Sequence, residues 1–203
     1  MKIPRLPKRK AIIGREIYGS LDLCQFVLIS VYFYLLPLSH MTAIHQHPDK
    51  NIIRVQLKQN ALLHGLNEEQ TSELESYLTV VDGGKGDFLL HQGVYDMEQY
   101  FILDGVLKRV VSNSEAKEMI LRFAAERGSE TSYAAWRLKK PTPYSIVCLT
   151  KARVAKMPLE QWVHFIERHA ALKQAFEYHV MSSMSDIMRS EERRVGKECL
   201  RLC

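Results

Sequence analysis

The sequence of 203 residues has the length of one domain, or of one domain with a short extension. Its hydrophobic content of 46% and charged content of 25% are typical of a soluble globular protein. The net charge of +5 lies wholly at the ends, because residues 1–40 sum to +4, residues 189–203 to +2 and residues 41–188 to −1. A basic nucleic-acid-binding face in the body of the chain is therefore not supported.

The first forty residues are basic and then apolar. Their uninterrupted apolar stretch, Phe26–Leu36, has 11 residues, whereas a membrane-spanning helix needs about 20, so we expect no stable membrane span. Three interpretations stay open: translated upstream DNA before a true start at Met41, a membrane-associated or signal segment, or a packed helix. The stretch TAIHQHPDK after Met41 is polar, and we expect residues 41–55 to form a flexible lead.

A helix is predicted after residue 66. Asn67 is a favourable N-cap, and Gln70 stands three residues later, as in a capping box. Leu74, Tyr77 and Leu78 then recur at helical spacing, which indicates a short amphipathic helix.

Short strands follow, as far as residue 158. Runs of four to seven β-branched and aromatic residues alternate with Gly, Asp and Asn turns, a pattern typical of a sandwich or jelly roll. Gly86, Gly93 and Gly105 each stand where a strand ends. We expect a positive φ or a tight corner at these glycines.

Two helices are predicted beyond Pro158, the second much longer than the first. The long helix carries an apolar stripe that consists of Leu172, Phe176, Val180, Met184 and Ile187. A stripe of this length predicts a parallel two-helix seam between two copies of the chain, hence a homodimer. The alternative is that the stripe packs on its own domain.

The apolar stripe stops at Met188, and a dense charge run follows. The segment RSEERRVGKEC, Arg189–Cys199, resembles the translation of a common short-read sequencing adapter. We interpret residues 189–203 as an artefactual tail without function.

Four stretches resemble the cyclic-nucleotide-binding β-roll of the Crp/Fnr transcription regulators. They are LLHGLNEEQTSELESYL, KGDFLLHQG, YFILDGVLKRVV and SEAKEMILRFAAE, in the order and spacing of the family. The resemblance covers about residues 56–188. It implies a mainly β fold with flanking helices: a double-stranded β-helix (jelly roll) over 56–158, then the dimerisation helices over 159–188.

The resemblance also implies an effector site. Ser129, Glu130, Thr131 and Ser145 fall on the family's ligand-binding segment, with Glu130 where a Glu accepts from the ribose hydroxyl. Tyr144 occupies the place of the Arg that binds the cyclic phosphate. A phenol cannot offer a fixed positive fork, and losing a charge-assisted hydrogen bond costs about 1.5–3 kcal/mol. No cofactor is certain; a cyclic nucleotide or another small effector is possible.

Cationic residues in the following loop are candidates to replace the missing charge. They are Arg127, Arg137, Lys139 and Lys140. Solvated turn residues are the simpler interpretation of all four.

Catalytic and metal motifs are lacking. The sequence has no G-x-S-x-G, P-loop or H-E-x-x-H motif, so we predict no enzyme. Cys24, Cys148, Cys199 and Cys203 form no C-x-x-C pair and suit neither zinc nor an iron–sulfur cluster. Cytoplasm is the expected location, and Cys148 is expected to be a small buried hydrophobe.

The hypothesis that combines these features is an effector-sensing and dimerisation domain of a Crp/Fnr-type regulator. About 15 residues follow Met188, without a helix-turn-helix pattern, so we expect DNA binding only in the full-length parent protein. The alternative is a stand-alone interaction module of the same fold without a DNA role.

Overall fold

The computed structural model describes residues 41–113 and 117–201, and the side chains as far as Arg189. The three interpretations of residues 1–40 lie outside the described residues. No helix within the described ranges is both long and apolar enough to span a membrane.

The segment expected to be a flexible lead is structured. It forms strand β1 (Met41–Ala43), a 3₁₀ turn (Ile44–Gln46) and the first part of helix α1 (Lys50–Lys58). The prediction is wrong because three apolar side chains, Ile44, Ile53 and Leu57, are buried in the core. Ile53 and Leu57 stand four residues apart and therefore share one face of α1.

Helix α2 (Glu68–Tyr77) begins as predicted. The Asn67 side chain accepts from the Gln70 amide at 2.8 Å, and the Gln70 side chain accepts from the Asn67 amide at 3.0 Å. The predicted capping box is therefore confirmed. Leu74 is buried, so α2 packs its apolar side against the domain.

Eight further strands build two antiparallel sheets. One sheet has the order β1-β2-β9-β4-β7 and the other the order β3-β8-β5-β6. The strands are β2 (Thr79–Gly83), β3 (Phe88–Leu90), β4 (Glu98–Asp104), β5 (Leu107–Ser112), β6 (Glu118–Ala124), β7 (Ser129–Thr131), β8 (Ser145–Cys148) and β9 (Ala152–Pro158). A short helix, α3 (Tyr133–Arg137), lies between β7 and β8.

Positive φ is observed at the three predicted glycines, with values of 93° at Gly86, 89° at Gly93 and 85° at Gly105. Gly105 has a second reason to lack a side chain. A Cβ there would lie 2.3 Å from the Lys151 carbonyl oxygen. Only glycine therefore permits the close approach of the β4–β5 corner to the segment before β9.

The core has two parts because β4 is covered on both faces. Tyr100 and Ile102 point between the two sheets, where they pack with residues of β3, β5, β8 and β9. Phe101 and Leu103 point to the other face and pack with the helices. Successive residues of a strand face opposite sides, so β4 serves both cores.

Cys148 lies in the core between the sheets, as predicted, and is 1% exposed. Burial, together with the charge of Asp87, raises the pKa of its thiol to about 11. The thiol is therefore protonated near neutral pH and behaves as a small hydrophobe.

The chain closes with α4 (Leu159–Glu167) and the long α5 (Ala170–Arg201). Leu172 and Phe176, expected on the seam between two copies, are 6% and 0% exposed within their own domain. Phe176 makes edge contacts with Trp162 and Tyr133. The alternative interpretation therefore holds for these two residues, because α4 and α3 offer an aromatic pocket that the sequence pattern did not reveal.

Farther along α5 the apolar side chains behave differently. Val180 packs at the margin of the core, Ile187 is partly buried, and Met184 is largely exposed. A second set of large apolar side chains faces solvent: Tyr178, Met181 and Met188, which are 64–71% exposed. Together with Met184, which is 43% exposed and lies at the margin between this side and the side that faces the roll, they form a stripe called here the outer stripe.

Candidate functional site

The predicted effector segment lies at the end of the roll beside α5. Ser129, Glu130 and Thr131 form β7, an edge strand that pairs with β4 and leads into α3. All three residues are buried, although each has a polar side chain. Buried polar groups need partners, and those partners define the site.

Glu130 is paired with an arginine that the sequence analysis did not identify. Arg109 on β5 donates from its Nε at 3.1 Å and from a terminal nitrogen to Glu130 Oε2, and also to the Thr131 carbonyl oxygen at 3.1 Å. The two side chains are 8% and 2% exposed. Burial opposes the charge of Arg109, but Glu130 outweighs it and raises the pKa of the guanidinium.

Tyr144 packs against this ion pair. The Arg109 guanidinium carbon lies 4.1 Å from the centre of the Tyr144 ring, a cation–π distance. The phenol donates to the Thr131 carbonyl oxygen at 2.8 Å. Burial raises the pKa of Tyr144, with Arg109 opposing, so the phenol remains a neutral donor at pH 7. Tyr144 therefore orients Arg109 and does not replace it.

A second arginine approaches Glu130 from the edge strand β6. Arg122 Nε lies 3.1 Å from Glu130 Oε1, and the Arg122 side chain is 22% exposed. Oε1 accepts no hydrogen bond from any described residue, so this ion pair is one of proximity without good hydrogen-bond geometry. Two guanidinium groups thus share one carboxylate.

Helix α5 contacts the site through His179. The His179 Nε2 atom lies 3.2 Å from the Ser129 hydroxyl oxygen, and this contact joins β7 to the helix. Burial, and then the charge of Arg122, lower the pKa of His179. The ring is therefore neutral at pH 7 and can share a hydrogen bond with Ser129 in either direction.

These residues leave little empty space. The cavity between them has a volume of about 20 Å³, which is close to the space for one water molecule. Ligand pockets for nucleotide-sized molecules usually have roughly 300–1,000 Å³. A cyclic nucleotide does not fit unless Arg109 or α5 moves.

The cavity is lined by groups from the roll and from α5. From the roll come Arg109, Arg122, Ser129, Thr131, Tyr133, Ala134 and Tyr144; from α5 come His179, Val180, Ser183 and Met184. Four of the five predicted residues therefore meet here, with Glu130 bound to the lining arginines. Ser145 does not line the cavity, and its hydroxyl accepts from the Gln92 amide at 2.9 Å.

The four proposed substitutes for the phosphate-binding arginine do not reach the site. Arg127, Arg137, Lys139 and Lys140 are exposed and do not line the cavity. The simpler interpretation, solvated turn residues, is the one that the structure favours. A signal for Arg109 was available in the sequence, because it stands two residues after Leu107 and so faces the interior of the roll.

A roomier groove lies elsewhere. It has about 510 Å³ and runs between the start of α2 and the α4–α5 junction, lined among others by His64, Gln70 and His169. The two histidines carry local hydrogen bonds, from His64 Nδ1 to the Ala61 carbonyl and between Gln70 and His169. No residue of the predicted effector segment reaches this groove. Within the described ranges no group of three or more His, Cys, Asp or Glu could hold a metal ion.

The lowered pKa of His179 gives an expected pH dependence. An unfolded histidine titrates near about 6.5, so below that pH the unfolded chain binds the proton more readily than the folded one. The stability linked to His179 is therefore complete above this pH and is lost as the pH falls through the lower folded pKa. We expect a loss of up to about 0.5 kcal/mol, since solvent screens the partly exposed ring.

Urea denaturation of the wild type and of His179→Gln between pH 7.5 and pH 5 measures this effect. The variant should lose less stability than the wild type on acidification. His45→Gln, at an exposed histidine, is the control and should follow the wild type. Equal slopes for His179→Gln and the wild type would contradict the assignment.

Comparison with known proteins identifies the fold. No protein-family model matches the sequence, and no curated protein sequence matches it. The sensor domain of the transcriptional regulator DNR from Pseudomonas aeruginosa is 16% identical, with a TM-score of 0.58 over 68% of this chain and 93% of that one. A putative cyclic nucleotide binding protein from Ruegeria pomeroyi is 18% identical, with a TM-score of 0.54 over 77% and 72% of the two chains.

A third similar structure is the catabolite activator protein from Thermus thermophilus. It is 17% identical, with a TM-score of 0.50 over 69% of this chain and 62% of that protein, so the chain spans under two thirds of its length. The predicted fold is therefore confirmed: antiparallel sheets with flanking helices, in the arrangement of the cyclic-nucleotide-binding β-roll.

Proposed function

We propose that this chain is the effector-sensing and dimerisation domain of a Crp/Fnr-type transcription regulator. In this proposal, another domain of the parent protein binds the DNA. The observation that carries the proposal is the contact between Ser129 on β7 and His179 on α5, at 3.2 Å. It joins the segment where an effector would act to the helix that would carry the signal. Cytoplasm, where such regulators meet DNA, is the matching location, and no catalytic step is part of the proposal.

The mechanism follows from the shared wall of the cavity. A change in the charge or position of Arg109, Arg122 or Glu130 alters the environment of His179, because these charges act on the imidazole. Helix α5 can respond as a rigid element, since packed helices shift between discrete positions. A shift of α5 would then change the orientation of the partner copy that packs against α5.

The outer stripe is the surface proposed for the partner. Tyr178, Met181, Met184 and Met188 recur at intervals of three and four residues, so they lie on one side of α5. Large apolar side chains that recur in this way favour a second helix with the same stripe, as in a parallel two-helix dimer. The homodimer proposed from the sequence is retained, with this stripe in place of Leu172 and Phe176.

Sedimentation velocity at about 10 µM tests the dimer. The chain of 23.5 kDa should sediment as two copies, and Met181→Glu should sediment as one. In the Met181→Glu variant, each copy would place one glutamate at the seam. Bringing these like charges together costs several kcal/mol and weakens association by roughly a hundredfold or more. Ser182→Glu, which adds the same charge beside the stripe, is the matched control and should remain dimeric.

Two results would count against this proposal. One is a monomeric wild type at 10 µM and above. The other is a Met181→Glu variant that dimerises as well as Ser182→Glu, since the partner surface would then lie elsewhere.

A further inference from the structure

The charges around the small cavity do not balance. Of the described side chains that line or touch it, Arg109 and Arg122 are cationic, and Glu130 is anionic. His179 adds no charge at pH 7, because burial and Arg122 lower its pKa. One positive charge is left in a largely buried place, where an unpaired charge is costly. Helix α5 covers this place with Ser183 and Met184, neither of which is acidic.

A buried hydroxyl group at the wall of the cavity also lacks a hydrogen-bond partner among the described residues. The Thr131 residue is 91% buried, given its exposure of 9%, and lines the cavity. Its Oγ1 has no hydrogen-bond partner in the part of the chain that the structure describes. Buried hydroxyl groups in folded proteins are normally satisfied. An unpaired hydroxyl beside a surplus positive charge indicates that an acceptor with a negative charge belongs there.

The size of the cavity limits what that acceptor can be. Its volume of about 20 Å³ corresponds to roughly one water-sized particle. A halide ion or a formate ion has about this size and carries the single negative charge that the cluster lacks. Divalent sulfate would reverse the imbalance instead of cancelling it. A cyclic nucleotide carries the correct charge but is many times too large.

We propose that this cavity is a binding site for one small monovalent anion of halide or formate size, held by Arg122 and Thr131 of the roll against His179 and Ser183 of α5. The proposal rests on the proposed function and names the class of effector for the same site. The anion joins the roll to α5, because it contacts groups of both. Binding of the anion changes the interaction between the roll and α5. The Arg109–Glu130 pair stays in place.

Arg122 thus supplies the positive charge that the sequence suggested would come from the segments on either side of β7. The positive charge missing at Tyr144 is supplied from the opposite side, by the edge strand β6. Arg109 is held by Glu130 and by the Thr131 carbonyl, through its Nε and one terminal nitrogen. Among the described residues, Arg122 makes the loosely aligned contact with Oε1, and its terminal nitrogens have no hydrogen-bond acceptor there.

Thermal unfolding of the full chain tests the site. Sodium gluconate holds the ionic strength constant and is replaced stepwise by sodium chloride, bromide or formate, because gluconate is too large for the cavity. We expect a saturable rise of the unfolding midpoint of about 3–6 °C at ten times the dissociation constant. Sulfate should give no saturable rise of this kind.

Three variants locate the effect. Arg122→Gln removes the surplus charge and should abolish the anion-dependent rise. Thr131→Val keeps the shape, removes the unpaired hydroxyl and should weaken anion binding about tenfold without lowering stability in gluconate. Lys108→Gln makes the same charge change on the outer face of β5, where Lys108 pairs with Glu118, and should keep the full rise.

A crystal grown in sodium bromide gives a direct readout, because bromide scatters anomalously. The expected result is one anomalous peak between Arg122 and Ser183. The proposal is overturned by the absence of that peak, or by an anion-dependent rise that is equal in the wild type and in Arg122→Gln. Neither result bears on the dimer, because the oligomeric state is measured separately by sedimentation. A failure of the anion site can therefore be distinguished from a failure of the proposed function.

Discussion

Replacing Arg109 by methionine should lower the free energy of unfolding by about 3–5 kcal/mol, among the largest effects of any single substitution in this domain. The change leaves the Glu130 carboxylate, which is 2% exposed, with only the loosely aligned Arg122. It also removes the cation that packs on the Tyr144 ring. Breaking a buried pair from one side is costly because the remaining carboxylate has no water and only a poorly aligned partner.

Urea denaturation of three proteins measures the effect. The first control is Arg54→Met, which breaks the exposed pair with Glu75 and should cost less than about 1 kcal/mol. The second is the double variant Arg109→Met/Glu130→Gln, which removes both charges of the buried pair and leaves only the partly exposed Arg122 charged. It should recover about 2 kcal/mol or more relative to Arg109→Met, since replacing a whole pair is often nearly neutral.

The interpretation of the site depends on this comparison. If Arg109→Met costs no more than Arg54→Met, the Arg109–Glu130 pair does not hold the cavity together, and the account of a site filled by the chain's own side chains is wrong. If the double variant is as unstable as Arg109→Met, the loss reflects packing on Tyr144 and not the unpaired carboxylate.

Phe176→Ala should cost about 3–5 kcal/mol, the usual range for removing a large buried aromatic side chain. Phe176 is 0% exposed, and its ring centre lies 5.5 Å from that of Trp162 and 5.1 Å from that of Tyr133. Removing the ring opens a cavity between α4, α5 and α3. Two residues later on the same helix, Tyr178 is 71% exposed and has no such role within the protomer.

Tyr178→Ala is therefore the matched control and should change the free energy of unfolding by no more than about 0.5 kcal/mol. Both substitutions are best compared in the Met181→Glu background, because dissociation of a dimer would otherwise contribute to the apparent stability. Similar costs at the two positions would contradict the division of α5 into a core side and a partner side.

The strands and corners of the roll could be predicted because their determinants are local. Alternating apolar residues bounded by turn residues indicate strands, and Gly86, Gly93 and Gly105 mark corners that need a positive φ. The Asn67–Gln70 capping box lies within four residues of sequence and closes as expected. Features of this kind depend on neighbours along the chain, so the sequence carries them directly.

The helical lead before α2 was missed for a physical reason. Lys50–Lys58 reads as polar, and its helix depends on Ile53 and Leu57 reaching a core that residues far along the chain provide. Isolated helices of nine residues are unstable in water, so such a helix forms only where tertiary packing stabilises it. The spacing of four between Ile53 and Leu57 was the local signal of an amphipathic helix, but the core that they reach is visible only in the tertiary structure.

The candidate site also has one part that the sequence could predict and one part that it could not. Ser129, Glu130, Thr131 and Tyr144 could be selected from the sequence because the resemblance to the Crp/Fnr family places them on its ligand-binding segment. The partners of Glu130 could not, since Arg109 and Arg122 lie 21 and 8 residues earlier, on strands of the other sheet, and meet it only when the two sheets pack.

What the sequence determined by itself, then, was the roll, its glycine corners and the absence of an arginine at Tyr144. Only the tertiary structure decided that Arg109 and Arg122 occupy the space beside the predicted effector segment, and that α5 turns Phe176 inward and Met181 outward. The reason is that turns and strands are set by the conformational preferences of adjacent residues. Charge pairing and the orientation of a helix are set by which distant surfaces come together when the chain folds.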